Sequence, residues 1–202
     1  MVRCVLTHVG RYDEALEESG KALVLDPVSP IAHNNRAMLL FRARRYDEAI
    51  RASRQALDLD PNFVNAVWWQ GVAYAGTHNF SSSIACLKKA VSMSDVPLLR
   101  ALLGHVYGLA GEKGLAIDTL EELKTLSRKR HVSPVDFAIV YAGLSDANST
   151  FQWLETAYQA RETRVLELPS MYFDTLRSDP RYADFMERLG LSLQTMSGIR
   201  PL

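Results

Sequence analysis

Five histidines, His8, His33, His78, His105 and His131, are the side chains best suited to hold a metal or to move a proton near neutral pH. No two of them stand at a ligand spacing, so neither a metal site nor a cofactor is expected. Cys4 and Cys86 are 82 residues apart and outside any metal or redox motif, and they read as reduced structural thiols. The acidic pairs Asp13-Glu14, Asp47-Glu48 and Glu121-Glu122 are neighbours in sequence. Adjacent helical residues diverge by about 100°, so these pairs read as helix-start or surface charges. No glycine-rich phosphate loop and no nucleophile elbow is present. The short basic run at 127–131, Ser-Arg-Lys-Arg-His, reads as a solvated loop. No catalytic residue emerges, and the chain is expected not to be an enzyme.

Charge balance narrows the partners. Lys plus Arg and Asp plus Glu are 23 each among 202 residues, a formal net charge of zero. A nucleic-acid binder normally carries a basic face, so no direct nucleic-acid contact and no anionic membrane surface are expected. The apolar fraction of 48% suits a folded chain. The longest uncharged apolar run, Phe137 to Leu144, is far too short to cross a bilayer. The beginning lacks a secretory pattern, which predicts a cytoplasmic protein.

What chemistry lacks, repetition supplies. Residues 10–27 and 44–61 are identical at eleven of eighteen positions: Arg, Tyr-Asp-Glu-Ala, Ser, Ala-Leu, Leu and Asp-Pro. The period of 34 continues with Phe80 and Ala90. Gly71 and Tyr74 recur as Gly104 and Tyr107 after 33, and Tyr141 follows after another 34. Each repeat predicts two helices. In the segment 46–59, Ala49, Ile50, Ser53, Ala56 and Leu57 make an amphipathic stripe. Asp47 and Glu48 suit its first turn, and Asp60-Pro61 ends it. Small residues at Ala15, Ala49, Gly71 and Gly104 predict close helix approach.

Carried by Gly71, Tyr74, Phe80 and Ala90, and by Tyr46, Ala49, Ala56 and Pro61, the chain resembles the tetratricopeptide repeat (TPR) family. The resemblance covers roughly residues 1–160. It departs from the family pattern at Lys113, Ser145 and Thr150, where an aromatic, a glycine and an alanine are usual. It implies an all-α fold, an α-solenoid of antiparallel helix pairs with about five repeats and C-terminal capping helices. The expected repeats are 1–29, 30–63, 64–96, 97–130 and 131–164, with a capping segment at 165–191 and a flexible tail at 192–202. The first repeat has nine residues before its Gly-Arg-Tyr turn. Its leading helix reads as truncated, and terminal repeats need capping, so either the chain is a fragment or something covers this edge, self-association included. The stretch 173–191 also resembles the closing segment of TPR arrays in bacterial multidomain signalling proteins. That implies an alternative role as the regulatory end of a signalling enzyme or transcription regulator.

The family implies a scaffold that binds a protein or peptide in a concave groove lined by the first helix of each repeat. Carried onto this chain, the groove residues are Asn34, Met38, Phe41, Asn65, Trp68, Val72, Ala101 and His105. Of Trp68 and Trp69, at most one can face such a groove well. Toward the C-terminus the corresponding positions, Leu98, Val132, Val135 and Ile139, are apolar. Two readings stay open there: an apolar peptide binds, or residues 165–191 cover the face. The carboxylate clamp of one TPR subclass is absent, because Asn65 and Trp69 stand where its basic pair belongs.

Overall fold

The computed structural model describes residues 12–167 and 170–191. The truncated leading helix and the tail of the sequence reading lie outside these residues. The chain divides after Met93 into two compact halves. The first contains α1 (Tyr12–Leu25), α2 (Pro30–Arg42), α3 (Tyr46–Leu59), α4 (Val64–Gly76) and α5 (Phe80–Met93). The second contains α6 (Pro97–Leu109), α7 (Lys113–Ser127), α8 (Pro134–Gly143) and α9 (Ala147–Gln159). Two 3-10 segments (Thr163–Glu167 and Met171–Leu176) and α10 (Pro180–Arg188) follow. No strand occurs among the described residues.

Helix ends follow local chemistry. Ser29, Ser133, Asp146 and Asp179 cap α2, α8, α9 and α10 by accepting a backbone N–H two or three residues on. Proline occupies the first position of α2, α6, α8 and α10, where no intrahelical donor is needed. The tight turn inside each pair has a common backbone signature. Arg44, His78, Gly111 and Ser145 have φ of 60°, 57°, 83° and 59°. They recur at intervals of 34, 33 and 34, yet only one is glycine. The turn therefore imposes left-handed geometry on whatever residue stands there. The interval of 33 reflects a three-residue connection, 94–96, where the earlier connections, 26–29 and 60–63, have four residues.

In the first half, α2 packs on α1, α3 and α4, and α4 packs on α3 and α5. In the second, α6 packs on α7 and α8, and α8 on α7 and α9. Small side chains make these approaches possible. Ala15, Ala49, Ser83, Ala116 and Thr150 share one repeat position and are all buried. The Ser83 hydroxyl donates to the Gly71 carbonyl at 2.7 Å, bridging α5 to α4. A Cβ at Gly71 would stand 2.9 Å from Leu87 Cγ, and one at Gly76 would stand 2.7 Å from the Tyr46 ring. The repeated tyrosine thus lies on the last turn of the next pair's first helix. Backbones come nearer still between α6 and α8, where a Cβ at Gly108 would strike the Gly143 main chain and one at Gly143 the His105 carbonyl.

Two substitutions test this account. Ala49→Leu overpacks a site with no free space, at a cost of ~1–3 kcal/mol, and is expected to lower the melting temperature by several degrees; an unchanged melt would contradict the packing. Ser145→Gly relieves the left-handed turn at an exposed residue by roughly 1 kcal/mol, and calorimetry should show a rise of about 2–4 °C.

Candidate functional site

In the first half, α2 and α4 lie against each other and together present the groove positions of that half. Asn34, Phe41 and Val72 are buried, Met38 and Trp68 are half-buried, and Asn65 is exposed. An aromatic row runs through two of them, Phe41 and Trp68. Tyr46 lies 5.9 Å from Phe41, Phe41 lies 5.3 Å from Trp69, and Trp68 stacks on Trp69 at 4.7 Å with an interplanar angle of 15°. Trp69 is buried and Trp68 is the member that reaches solvent. Two polar atoms at this place are buried without a hydrogen-bond partner, Asn34 Oδ1 and Trp68 Nε1. One accepts and the other donates.

The second half treats its groove positions differently. Ala101 and His105 are both buried. His105 Nδ1 donates to the Ile139 carbonyl at 2.9 Å, and the Tyr172 ring meets the imidazole edge-on at 5.8 Å. Burial lowers the His105 pKa to about 4, against the opposing pull of that hydrogen bond and of the Asp174 carboxylate. Tyr172 belongs to the segment after α9, whose described side chains meet its own half at several points. Arg164 pairs with the buried Asp136 at 2.7 Å, and burial still raises the Asp136 carboxyl above its ordinary value. Thr175 donates to the Ala142 carbonyl at 3.5 Å, Arg181 to Asn148 at 3.0 Å, and Arg188 to Glu155 at 2.9 Å. Phe185 meets Tyr158 at 5.8 Å. The described contacts of this segment are with α8 through Arg164 and Thr175, with α9 through Arg181, Phe185 and Arg188, and with His105 of α6 through Tyr172.

Sequence stripes locate these residues on the first helices but not their depth. Residues three and four apart share a helix side, and that side contains both the open surface and the contact with the next helix. Sequence reasoning misses Trp69 and Gly143 as site elements. Their only sequence signals are a second tryptophan beside the first, and a glycine in the last turn of a first helix, as at Gly76.

Protonation of a buried imidazole gives a checkable pH dependence. The unfolded chain takes up a proton near pH 6.5 and the folded chain only near 4. Stability is therefore full above about 6.5 and is lost as pH falls toward 4, by ~3 kcal/mol for the one group. Between pH 7 and 4 the unfolding free energy from denaturant titrations should fall by about this much more in wild type than in His105→Asn; an equal fall in both would contradict it.

Comparison with known proteins places this architecture. The tetratricopeptide repeat family model matches residues 9–62 and 37–95. No curated protein matches the sequence. Among solved structures, TTC0263, a thermophilic TPR protein of Thermus thermophilus, is similar with a TM-score of 0.66 at 20% identity, over 92% of this chain and 96% of that one. MamA is similar with a TM-score of 0.56 at 19% identity, over 81% and 96%. YrrB, described as a TPR protein with an unusual peptide-binding site, has a TM-score of 0.50 at 18% identity, over 82% and 86%. Residues 9–95 thus carry tetratricopeptide repeats, and the chain shares the helix-pair fold of solved TPR structures.

Proposed function

We propose that the chain is a non-enzymatic scaffold that holds a peptide or a segment of a partner protein against the α2–α4 face of its first half. The observation that carries this reading is Trp68. It is an accessible aromatic whose ring is already held against Trp69 and, through it, Phe41. An anchor ordered before binding loses little freedom when a partner arrives, and tryptophan is favoured among residues that dominate binding energy. Asn65 and Met38 beside it add one polar and one adaptable apolar contact. Fold similarity to YrrB, whose description names a peptide-binding site, points the same way. The zero net charge favours a protein over a nucleic acid.

Capture of partners on immobilised chain tests the placement. Trp68→Ala is expected to weaken capture at least tenfold, the loss typical of an aromatic anchor, and Asn65→Ala to weaken it less. Retained capture by both variants would place the binding elsewhere.

A further inference from the structure

Asp136 of α8 is a carboxylate buried to 2% exposure. One, two and three repeats earlier the same position carries Leu102, Trp69 and Asn35, at intervals of 34, 33 and 34. None of these is charged, so helix packing alone does not call for a carboxylate there. Its guanidinium partner, Arg164 at 2.7 Å, comes from beyond the helix pairs, in the first of the two 3-10 segments. The second 3-10 segment also lies on first helices. Its Tyr172 meets His105 of α6 edge-on at 5.8 Å, and its Thr175 donates to the Ala142 carbonyl of α8 at 3.5 Å. In the repeat register His105 corresponds to Val72 and Ala101 to Trp68, each after 33 residues. The first half carries its accessible aromatic on the scaffold, as Trp68. In the second half that position is Ala101, and the aromatic on the groove side is Tyr172 of the added segment.

The backbone of these segments holds itself together weakly. The Val165 N–H donates to the Glu162 carbonyl and the Phe173 N–H to the Ser170 carbonyl, both at 3.3 Å, and Arg177 to Asp174 at 3.2 Å. Such bonds are ordinarily about 2.9–3.0 Å long, and 3-10 geometry is the poorer one. Phe173 also leaves helical geometry, with φ of −114° and ψ of 16°. Side-chain contacts fix the segments in place: the ion pair to Asp136, the ring on His105, and the burial of Phe173 and Leu176. A bound peptide is held in the same way, by pockets for its side chains. We propose that the two 3-10 segments are an intramolecular ligand. They occupy a second peptide site on α6 and α8, and a partner segment carrying an arginine and, eight residues on, a tyrosine displaces them. The site itself selects that chemistry. Asp136 without Arg164 would be a buried, unpaired carboxylate, so an incoming chain must bring a cation, and a guanidinium is more weakly hydrated than an ammonium. Tethering gives the chain's own segment a high effective concentration. The partner's apparent affinity is therefore reduced by the small fraction of open sites, which makes the contact autoinhibitory.

Hydrogen exchange of the full wild-type chain, read by mass spectrometry, provides the first test. Fragments covering 163–176 are expected to exchange roughly tenfold or more faster than those of α6 and α8, the mark of an opening that leaves the helices folded. Exchange of all three at one rate overturns the proposal. A fluorescein-labelled peptide of residues 161–178 is the probe for the second test. It is expected to bind the full-chain variant Arg164→Ala/Tyr172→Ala roughly tenfold or more tighter than wild type, because the competing segment is weakened. The same peptide with alanine at both positions should bind neither. A variant that keeps its helical circular dichroism and captures no peptide overturns the proposal equally. Should the variant lose that signal, the exchange of the wild type decides alone. Adding Trp68→Ala to the variant should leave peptide binding unchanged, which separates this site from the α2–α4 face. Loss of binding there would assign the peptide to that face and overturn the second site.

Discussion

Close approach of paired helices is the constraint on which the rest of this structure depends. At Gly108 and Gly143 the main chains of α6 and α8 come so near that neither position has room for a methyl group. At Gly71 the neighbour is the Leu87 side chain. Packing this tight follows from removing side-chain volume at one position per helix, which turns two amphipathic rods into one dense layer. The same condition explains why the repeat position of Ala49 accepts Ser83 and Thr150 but nothing larger. Their hydroxyls are satisfied locally, Ser83 on the Gly71 carbonyl and Thr150 on the Asp146 carbonyl, each at 2.7 Å. These two small polar groups are tolerated in the core because each has a partner.

From that shared packing the two halves reach different surfaces. The second half uses its own chain to cover both kinds of helix: Tyr172 lies on His105 of α6, Arg164 on Asp136 of α8, and Phe185 on Tyr158 of α9. A buried carboxylate with a guanidinium partner is costly to expose alone, so Arg164 holds this segment in one place as well as covering it. The first half leaves Trp68 at the end of an aromatic row and keeps Asn65 exposed beside it. A difference in covering, and not in repeat architecture, separates the half that reads as closed from the half that reads as receptive.

The fold was legible because it is written several times. Tyr46, Ala49, Ala56 and Pro61 declare a helix, its buried stripe and its end, and the second copy of the pattern confirms the period. The left-handed turn was less legible, since Arg44, His78 and Ser145 hide a geometry that glycine would have announced. Burial along the first helices was least legible. Val72 and Trp68 occupy one predicted stripe, yet one is buried and the other reaches solvent. Helical spacing sets the side of a helix on which a residue lies, and the neighbour that packs there sets how much of that side remains open.

The sequence by itself determined the helix pairs, their period, their small-residue contacts and the absence of a legible catalytic constellation. Each of these is a local matter, expressed in the helical spacing of three and four and in the repeat period. Only the tertiary structure decided that His105 is buried beneath Tyr172, that Trp68 is held against Trp69, and that Val24, Leu25, Val28 and Ile31 stand in solvent. Exposure depends on which distant segment comes to rest on a residue, and that choice is made by the packed chain as a whole.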